Sequence, residues 1–510
     1  MIGSPRKSLD AIRIDVAQAG LRRSLGPVQL VLIGVGCIVG AGVYVMTGTA
    51  AATYAGPAVI LSFLIAALAC GFTALCYAEL ASVLPVSGAS YTYAYAALGE
   101  LWAWALAWML MLEFGLAGSA LAAGFSGYLQ SLIGDFGIVL PDAVRHSTLV
   151  ASAAPGGGTR FAASLALDLP ALLALAAVSA VLVRGVRQSA AVNTLLVTLK
   201  IGILLLFVVV GLPHVQPAHW APFVPPAEGG FRYGWPGVLR GASVVFFAYL
   251  GFEVVATASS EARRPQRDVP VGILGALAVS TAIYAAVAAV LTGLVPFRTL
   301  GVADPIALAV QAVGLPVLAV IVKAGALTGL GSVLLVNTYG QSRICFAMAR
   351  DGLLPPVFQR LHARHATPAR GTVIVAAISA VAAATLPIAL LADLVSIGTA
   401  FVFCVVAIAT MWLRTRHPDL PRPFRVPGGG RVIGGVWIGT VPVLALVLCL
   451  TMMAPVLIDL AGRAIGGDWL PAALLAAYVV IGIVVYARYG YRHSAIRRRG
   501  RVAAGASALR

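Results

Sequence analysis

Twelve apolar runs, each about as long as a bilayer is thick, constrain this chain more than any other feature. They cover residues 27–52, 57–83, 103–132, 165–184, 190–212, 236–260, 271–295, 315–347, 371–390, 394–413, 434–457 and 470–487. A helix needs about 20 apolar residues to cross a membrane, and a β-barrel shows short alternating segments instead. Only 10% of the 510 residues are charged, against about 25% in soluble domains. The runs predict an all-α polytopic membrane protein with twelve transmembrane helices.

The distribution of basic residues predicts how these helices are oriented. If the N-terminus is inside and the sides alternate, the inner segments hold 27 Lys and Arg residues, the outer segments 5 and the helices 3. Cytoplasmic loops carry such an excess of positive charge. We therefore expect a multi-pass protein of the inner or plasma membrane with both termini in the cytoplasm. The net charge of +17 then needs no nucleic-acid partner, and the basic tail can touch anionic lipid.

Cysteine and histidine give no sign of a disulfide framework, a cofactor or a metal site. The six cysteines all lie within predicted helices and form no CxxC pair, so we interpret them as reduced packing residues. The "HARH" stretch at His362–His365 lies in an inner loop, and two histidines alone are a weak metal signal. Residues 1–24 are polar and basic, and the run that follows is too long for a signal peptide, so none is expected.

Two of the predicted helices look interrupted. Helix 1 reads "LIGVGCIVGAGVYVMTG", and helix 6 reads "GVLRGASVVFFAYLGFEVVATASSEA", with Gly251 and Glu253 in mid-span. Close packing through small residues is the simpler interpretation, and Gly36 and Gly40 fit it. However, Gly40-Ala41-Gly42 crowds more glycine together than one packing face needs. Paired interruptions five helices apart point to an inverted-repeat transporter and to its substrate site.

At these residues the chain resembles the amino acid–polyamine–organocation superfamily, and within it the cationic amino acid transporter branch. The motifs are "VGAGVYV", "YAELASVLPVSGASYTYAYAALGE", "LEFGLAGSALAAGFSGYL", "FFAYLGFEVVATASSEARRPQRDVPVGI" and "GLGSVLLVNTYGQSRICFAMARDGLLP". The resemblance implies a leucine-transporter-type fold of five helices plus five inverted helices, with broken helices 1 and 6 and two extra helices. It also implies transport of amino acids or related amines across the plasma membrane.

The chain departs from the family pattern at three places. Glu253 stands where Asp is common, Arg264-Pro265 where Asn-Pro is common, and Thr49 where animal members often carry Glu. These departures leave the fold unaffected but weaken the case for a cationic substrate. A neutral amino acid is as compatible with the sequence as a cationic one.

The resemblance also implies an organisation without a soluble domain. It comprises a cytoplasmic segment at 1–26, a transport core of helices 1–10 at 27–413, a linker with helices 11 and 12 at 414–487, and a basic tail at 488–510. The outer loop at about 133–164 contains "APGGGT" and is expected to be flexible. Neither the oligomeric state nor a small accessory membrane subunit can be deduced from the sequence.

A broken helix can bind an amino acid zwitterion without ionised side chains. Half-helix N-termini present amides to a carboxylate, and half-helix C-termini present carbonyls to an ammonium. The family motif assigns the ammonium to the carbonyls of Ile38, Phe247 and Leu250, and the carboxylate to the amides of Ala41 and Gly42. Glycine, including Gly40, lets a ligand approach the backbone, and Phe247 is also a candidate gate.

Three glutamates lie within the apolar runs and need an explanation, because buried acids in membranes tend to be functional. Glu253 can hold the unwound segment by accepting backbone N–H bonds, or it can meet a substrate amine; the first role is favoured. Glu113 is a candidate to face the substrate side chain. Glu79, near the inner end of helix 2, suits a structural or gating contact.

Lys200 stands near the middle of the apolar stretch "NTLLVTLKIGILLLF", one of three lysines in the chain. Burial disfavours the charged form of a lysine. The resemblance places it where proton-coupled relatives carry a lysine whose ammonium replaces a coupling sodium ion. It would donate to helix 1 carbonyls near Ile38 and to a helix 8 hydroxyl, Ser332 first and Thr328 second. The alternative is a fixed structural tether. Arg240 and Lys323 are interpreted as interfacial anchors.

The function predicted from these observations is secondary amino acid transport, with proton symport through Lys200. The first alternative is an uncoupled exchanger or facilitator, and a second is a membrane sensor that transports nothing. A channel needs a filter or a ring of like charges, and none is apparent. An integral membrane enzyme is not expected, because the chain has no HExxH and no GxSxG in a suitable context.

Overall fold

The computed structural model describes residues 5–6, 24–86, 88–153, 159–185, 190–365 and 367–498, and most of them are helical. A helix lies in each of the twelve predicted apolar runs. The longer helices are α1 (Pro27–Ile38), α3 (Val59–Val83), α5 (Glu100–Gly134), α7 (Leu169–Arg184), α8 (Ala190–Gly211), α9 (Gly234–Phe246), α11 (Pro265–Leu294), α13 (Pro316–Arg350), α14 (Ala369–Thr385), α15 (Ile388–Arg416), α16 (Thr440–Ile465) and α17 (Leu470–Val485). Short helices between them are α2 (Thr47–Ala50), α4 (Ala89–Ala97), α6 (Asp142–Arg145), α10 (Val254–Thr257), α12 (Pro305–Ala312) and α18 (Tyr491–His493).

Within the described residues, nine helical stretches are long and apolar enough to span a membrane. Three shorter apolar helices, α1, α7 and α14, accompany them. One stretch, Gly42–Val83, is 42 residues long, because it joins the second half of predicted helix 1 to predicted helix 2. The chain is thus a mostly helical, polytopic membrane protein. The number of twelve crossings stays a prediction.

The helices are packed around α5 and α11. Helix α5 lies against α13, α14 and α15, and helix α11 lies against α1 and α3. The α9 helix also contacts α3, and α13 contacts α7 and α8. The last helical stretch, Leu470–Arg498, is much less covered than α5. Of its 18 most apolar consecutive residues only 11% are buried, whereas the corresponding value for α5 is 78%. The polar and glycine-rich segments are thereby gathered in the interior of the first ten predicted helices.

Two β-hairpins depart from the predicted pattern. One lies in a predicted loop, and the other includes the first residues of the run 434–457, which was predicted to be helical from its start, whereas helix α16 begins only at Thr440. In the loop predicted to be outer, β1 (Leu149–Ala153) pairs antiparallel with β2 (Thr159–Ala163), and residues 154–158 lie outside the described part. In the segment predicted to begin on the inner side, β3 (Gly430–Ile433) pairs with β4 (Val436–Gly439). Both glycines of the "VIGGV" turn have positive φ, 57° and 77°, which a two-residue hairpin turn requires. This signal was present in the sequence.

The described cysteines, which are all six in the chain, are free and buried. This agrees with their interpretation as packing residues. The predicted N-terminal segment and basic tail fall largely on residues 1–4, 7–23 and 499–510, which lie outside the described part.

Candidate functional site

The first helix is interrupted at its predicted break. Helix α1 ends at Ile38, and Val39 adopts an extended conformation (φ −74°, ψ 97°). Helical structure resumes in a wide π-helical turn over Gly42–Met46. The last turn of α1 therefore presents carbonyls, and the turn that begins at Ala41 and Gly42 presents amides, as helix ends do.

The sixth predicted helix is interrupted in the same manner. Helix α9 ends at Phe246 and continues as a 3₁₀ turn over Phe247–Tyr249. Leu250 is extended (ψ 132°), and Gly251 has φ +120°, a conformation that side chains rarely adopt. Helix α10 begins three residues later.

The two interruptions are in direct contact. A Cβ added to Gly42 would lie 2.2 Å from the Cβ of Ala248, and a Cβ added to Gly251 would lie 2.8 Å from the Cβ of Cys37. Real Cβ atoms do not approach this closely, so only glycine fits at either position. Gly40 is less restricted, because its added Cβ would lie 3.2 Å from Leu121.

Tyr284 of α11 holds both interruptions, and the sequence analysis missed it. Its hydroxyl lies 2.8 Å from the Ile38 carbonyl and 3.0 Å from the Ala248 carbonyl, and its side chain is fully buried. The Ile38 carbonyl, predicted to meet the substrate ammonium, is thus already engaged. The available signal was a tyrosine in an apolar run, because a buried Tyr hydroxyl usually finds a partner.

The remaining predicted substrate ligands are buried near the same contact. The Phe247 carbonyl accepts the Leu250 amide at 3.2 Å within its own turn. Phe247 and Leu250 are 5% and 8% exposed. The residues at both breaks are therefore covered from solvent in this structure.

Glu253 and Glu113 have contrasting environments. Both Glu253 carboxylate oxygens accept the Gly251 amide, at 3.0 and 3.2 Å. Glu253 thereby stabilises the unwound segment between Leu250 and Val254 through a bond within that segment. Glu113 is fully buried beside Gly398 of α15, and the Thr399 hydroxyl of the same helix faces it. Burying a carboxylate is costly, so Glu113 is suited to receive a further donor from a ligand.

Lys200 of α8 is buried and contacts the end of α1. Its Nζ donates to the carbonyl of Gly36 and to the carbonyl of Val39 at 2.9 Å. Gly36 permits this approach, because an added Cβ would lie 2.7 Å from Val197 on the same helix as Lys200. These carbonyls form the partly negative end of a helix, which attracts a cation.

The predicted contact of Lys200 with a hydroxyl of α13 is absent from this structure. Ser332 donates to the Gly329 carbonyl at 2.8 Å, and Thr328 donates to the Gly325 carbonyl at 2.9 Å. Ser and Thr in helices favour such local bonds. Helix α13 meets Lys200 through Gly329 instead, where an added Cβ would lie 3.7 Å from the lysine Cβ.

Two basic residues interpreted as interfacial anchors are buried ion-pair partners, and that interpretation was wrong. Lys323 donates to both carboxylate oxygens of Asp135, at 2.8 and 2.6 Å. Arg240 donates to both oxygens of Asp393 at 2.8 Å. Their partners lie 188 and 153 residues away in the sequence, so no local pattern marks them.

Glu79 joins the inner ends of three segments. Its carboxylate accepts from Arg414 Nε at 2.7 Å and from the Val426 amide at 2.7 Å. It therefore makes the structural type of contact proposed for it. His362 and His365 stack at 5.0 Å in their loop. Among the described residues, no group of three or more His, Cys, Asp or Glu side chains is arranged to hold a metal ion.

Comparisons with known proteins identify the family. The family model described as amino acid permease matches residues 25–485. The chain is 39% identical to the methylthioribose transporter of Bacillus subtilis, over 97% of this chain and 99% of that protein. It is also 39% identical to a branched-chain amino acid permease of Bacillus subtilis, over 97% and 98% of the two chains. A vacuolar cationic amino acid transporter of Arabidopsis thaliana is 37% identical over 81% of this chain and 67% of its own length.

Proposed function

The chain belongs to the amino acid permease family, and from that premise we propose that it is a secondary active transporter of L-amino acids. The family consists of permeases, not enzymes. The observation that carries the proposal is the contact between two interrupted helices at a buried centre, Gly42 against Ala248 and Gly251 against Cys37. The backbone groups freed there can meet a carboxylate and an ammonium together.

We propose the leucine-transporter-type arrangement for the fold, with twelve spans and helices 1–5 repeated as helices 6–10. The packing partners support it. Predicted helices 1 to 10 correspond in order to α1, α3, α5, α7, α8, α9, α11, α13, α14 and α15. The contact of helix 1 with helix 7 (α1 with α11) has its counterpart in that of helix 6 with helix 2 (α9 with α3). The contact of helix 3 with helix 10 (α5 with α15) has its counterpart in that of helix 8 with helix 5 (α13 with α8). Helices α3 and α11, α5 and α13, and α7 and α14 pair with their own counterparts.

Proton coupling through Lys200 is the proposed energy source. A charged Lys200 binds the carbonyls of Gly36 and Val39 and stabilises the end of α1 against the break. Loss of the proton weakens these bonds, because a neutral amine is a poorer donor than an ammonium. Helix α1 is then free to move, and proton release is linked to opening of the site.

Two alternative functions explain fewer of the contacts at the two breaks and at Lys200. An uncoupled exchanger or facilitator shares the substrate site but needs no lysine at the end of α1. A sensor without transport needs no pair of interrupted helices. We also propose the cytoplasmic membrane as the location, with both termini inside, because the inner segments hold 27 basic residues against 5 outside.

Uptake into proteoliposomes tests the proposal. The panel contains labelled neutral and cationic L-amino acids and methylthioribose, the solute named for one relative, with an inward proton gradient imposed or absent. Gly42→Leu serves as the binding-deficient control, since its side chain fills the contact with Ala248. We expect gradient-stimulated uptake of at least one amino acid. Uptake of methylthioribose alone would overturn the substrate assignment, and uptake indifferent to the gradient would favour the exchanger.

A further inference from the structure

Arg240 is a fully buried arginine in the half of helix 6 that precedes the break. Its side chain has 0% exposure, and that of Asp393 on α15 has 7%. Arg240 Nη2 lies 2.8 Å from both Asp393 oxygens and 3.3 Å from Asp459 on α16. Seven residues, or about 10 Å of helix, separate Arg240 from Phe247 at the break. A charge cluster thus lies beside the substrate site proposed above, on the predicted outer side.

The cluster connects four segments of the chain. Arg463 of α16 donates to Asp459 at 2.6 Å, and the Arg240 guanidinium lies 4.9 Å from the centre of the Tyr54 ring in the outer half of helix 1. Two arginines and two aspartates balance one another. We define Arg240, Asp393, Asp459 and Arg463 as the outer charge cluster.

Helix α9 is also fitted closely to the outer half of helix 1. A Cβ added to Gly237 would lie 2.2 Å from the Tyr54 carbonyl oxygen, and one added to Gly241 would lie 3.1 Å from the Ala55 Cβ. On the other side, Ser396 of α15 donates to the Ser243 carbonyl at 3.0 Å. The position of α9 over the centre therefore depends on the outer end of helix 1 and on α15.

The ion pair is poorly explained as a simple stabiliser. Burying charges costs several kcal/mol per ion, and an apolar pair is often as stable. Moreover, Arg240 Nε and Nη1 have no hydrogen-bond partner among the described residues. The same nitrogen, Nη2, donates to Asp393 at 2.8 Å and more weakly to Asp459 at 3.3 Å, so the guanidinium can shift its balance from one aspartate to the other at little cost in geometry.

We propose that the Arg240–Asp393 pair is an outer latch of the transport cycle, and that Asp459 receives Arg240 when the latch opens. Closed, the pair holds α9 against α15 and covers the centre, as in this structure. Open, Arg240 moves toward Asp459, and α9 separates from α15. Helix α16 then takes part in opening the outer side, because it carries Asp459. The latch deepens the proposed transport function and rests on it, and Arg240 acts as a positioning residue that does not touch substrate.

Accessibility of the centre from outside tests the latch without any need for transport. Phe247→Cys is introduced as a reporter into a chain whose six native cysteines are replaced by alanine. Its reaction with a membrane-impermeant thiol reagent is timed from the outer side of proteoliposomes. We expect Arg240→Gln and Asp393→Asn each to speed labelling about tenfold, within the usual range of conformational coupling. The exchange Arg240→Asp with Asp393→Arg is expected to return it toward the parent rate.

The matched control is an exposed outer pair, Arg298 with Glu228. The hydrogen bond from Arg298 lowers the pKa of Glu228 below its ordinary value, so the pair stays charged during the assay. Arg298→Gln is expected to leave labelling unchanged. If Arg240→Gln does not fold, Asp459→Asn keeps the main pair and is expected to slow labelling about two- to threefold, because the open latch loses its acceptor.

Two results would overturn the latch. One is unchanged labelling in folded Arg240→Gln and Asp393→Asn proteins that have merely lost thermal stability, since this describes a static brace. The other is unchanged labelling in Asp459→Asn, which removes α16 from the gate. If Arg240→Gln and Asp393→Asn speed labelling but the wild type transports no member of the uptake panel, the proposed function is wrong and the latch still stands as a conformational device.

Discussion

Lys200 and Lys323 are two lysines buried to the same extent, each 1% exposed, but they have opposite kinds of partner. Lys323 faces a carboxylate, that of Asp135, and also lies 3.3 Å from the Ser131 carbonyl. Lys200 faces only the carbonyls of Gly36 and Val39 among the described residues. A full negative charge stabilises an ammonium far more than carbonyl dipoles do in a poorly polarisable interior.

The comparison is the basis for proposing one fixed cation and one releasable cation. Lys323 joins α13 to the end of α5 through its ion pair with Asp135. The ammonium of Lys200 is bound by the carbonyls of Gly36 and Val39, at the point where α1 ends. If that end moves, the ammonium loses its acceptors and the proton can leave. The nature of the partner, rather than burial, is thus the reason for proposing the coupling role for Lys200 and not for Lys323.

The largest expected effect comes from giving Lys200 a carboxylate partner, as Lys323 has in Asp135. Gly329→Asp places a carboxylate beside Lys200, since the added Cβ would lie 3.7 Å from the lysine Cδ. The pair should stay charged, and gradient-driven uptake should fall by at least about a hundredfold, equivalent to roughly 2.7 kcal/mol. Gly329→Asn is the control of equal shape. Equal uptake by the two variants would mean that charge at this position is unimportant.

Removal of Lys323 should affect stability and leave coupling intact. Lys323→Ala strands Asp135, whose side chain is 27% exposed, and we expect a loss of about 1–3 kcal/mol in unfolding free energy. The fold stimulation of uptake by a proton gradient should match that of the parent. Thermal unfolding in detergent and uptake in proteoliposomes measure the two quantities. A second change, Asp135→Asn, should recover part of the stability; loss of gradient stimulation would abolish the distinction between the lysines.

A smaller effect is expected from Tyr284→Phe. The change removes the hydroxyl that links the Ile38 and Ala248 carbonyls, and one lost hydrogen bond of this kind costs about 1 kcal/mol. Substrate affinity should fall severalfold, while the gradient response through Lys200 persists. Binding measured by scintillation proximity tests this. An unaltered affinity would show that the two breaks do not need this link.

The smallest effects are expected from Ser332→Ala and Thr328→Ala. Both hydroxyls bond to carbonyls of their own helix, so uptake and its pH dependence should change less than about twofold. Initial uptake rates at several pH values measure both. A large loss in either variant would indicate that the hydroxyl reaches Lys200 in another conformation of the transport cycle.

The parts of the account that depend on local backbone chemistry could be predicted from the sequence. The crowding of glycine and alanine at residues 40–42 marked the break after Ile38. Gly251 beside a lone Glu253 marked the second break. An isolated lysine in an apolar run marked a buried cation, and the family resemblance implied its place near Ile38 in helix 1. These features follow from the conformational range of glycine and from the cost of burying charge.

The parts that depend on distant partners could not be predicted in this way. Arg240 and Lys323 looked like anchors because their aspartates belong to other helices, and one sequence carries no record of which helix faces meet. At two further places a local signal was available. The "VIGGV" turn signalled the inner hairpin, and the tendency of Ser and Thr to bond within their own helix argued against Ser332 as a partner for Lys200.

Uptake driven by a proton gradient, compared in wild type, Lys200→Ala and Lys323→Ala, tests the central claim most directly. The substrate is whichever labelled amino acid the wild type accumulates best in proteoliposomes. We predict that the gradient stimulates wild type and Lys323→Ala to the same degree and does not stimulate Lys200→Ala, which retains exchange of preloaded substrate. Stimulation of Lys200→Ala equal to that of wild type would contradict the claim and make both lysines structural.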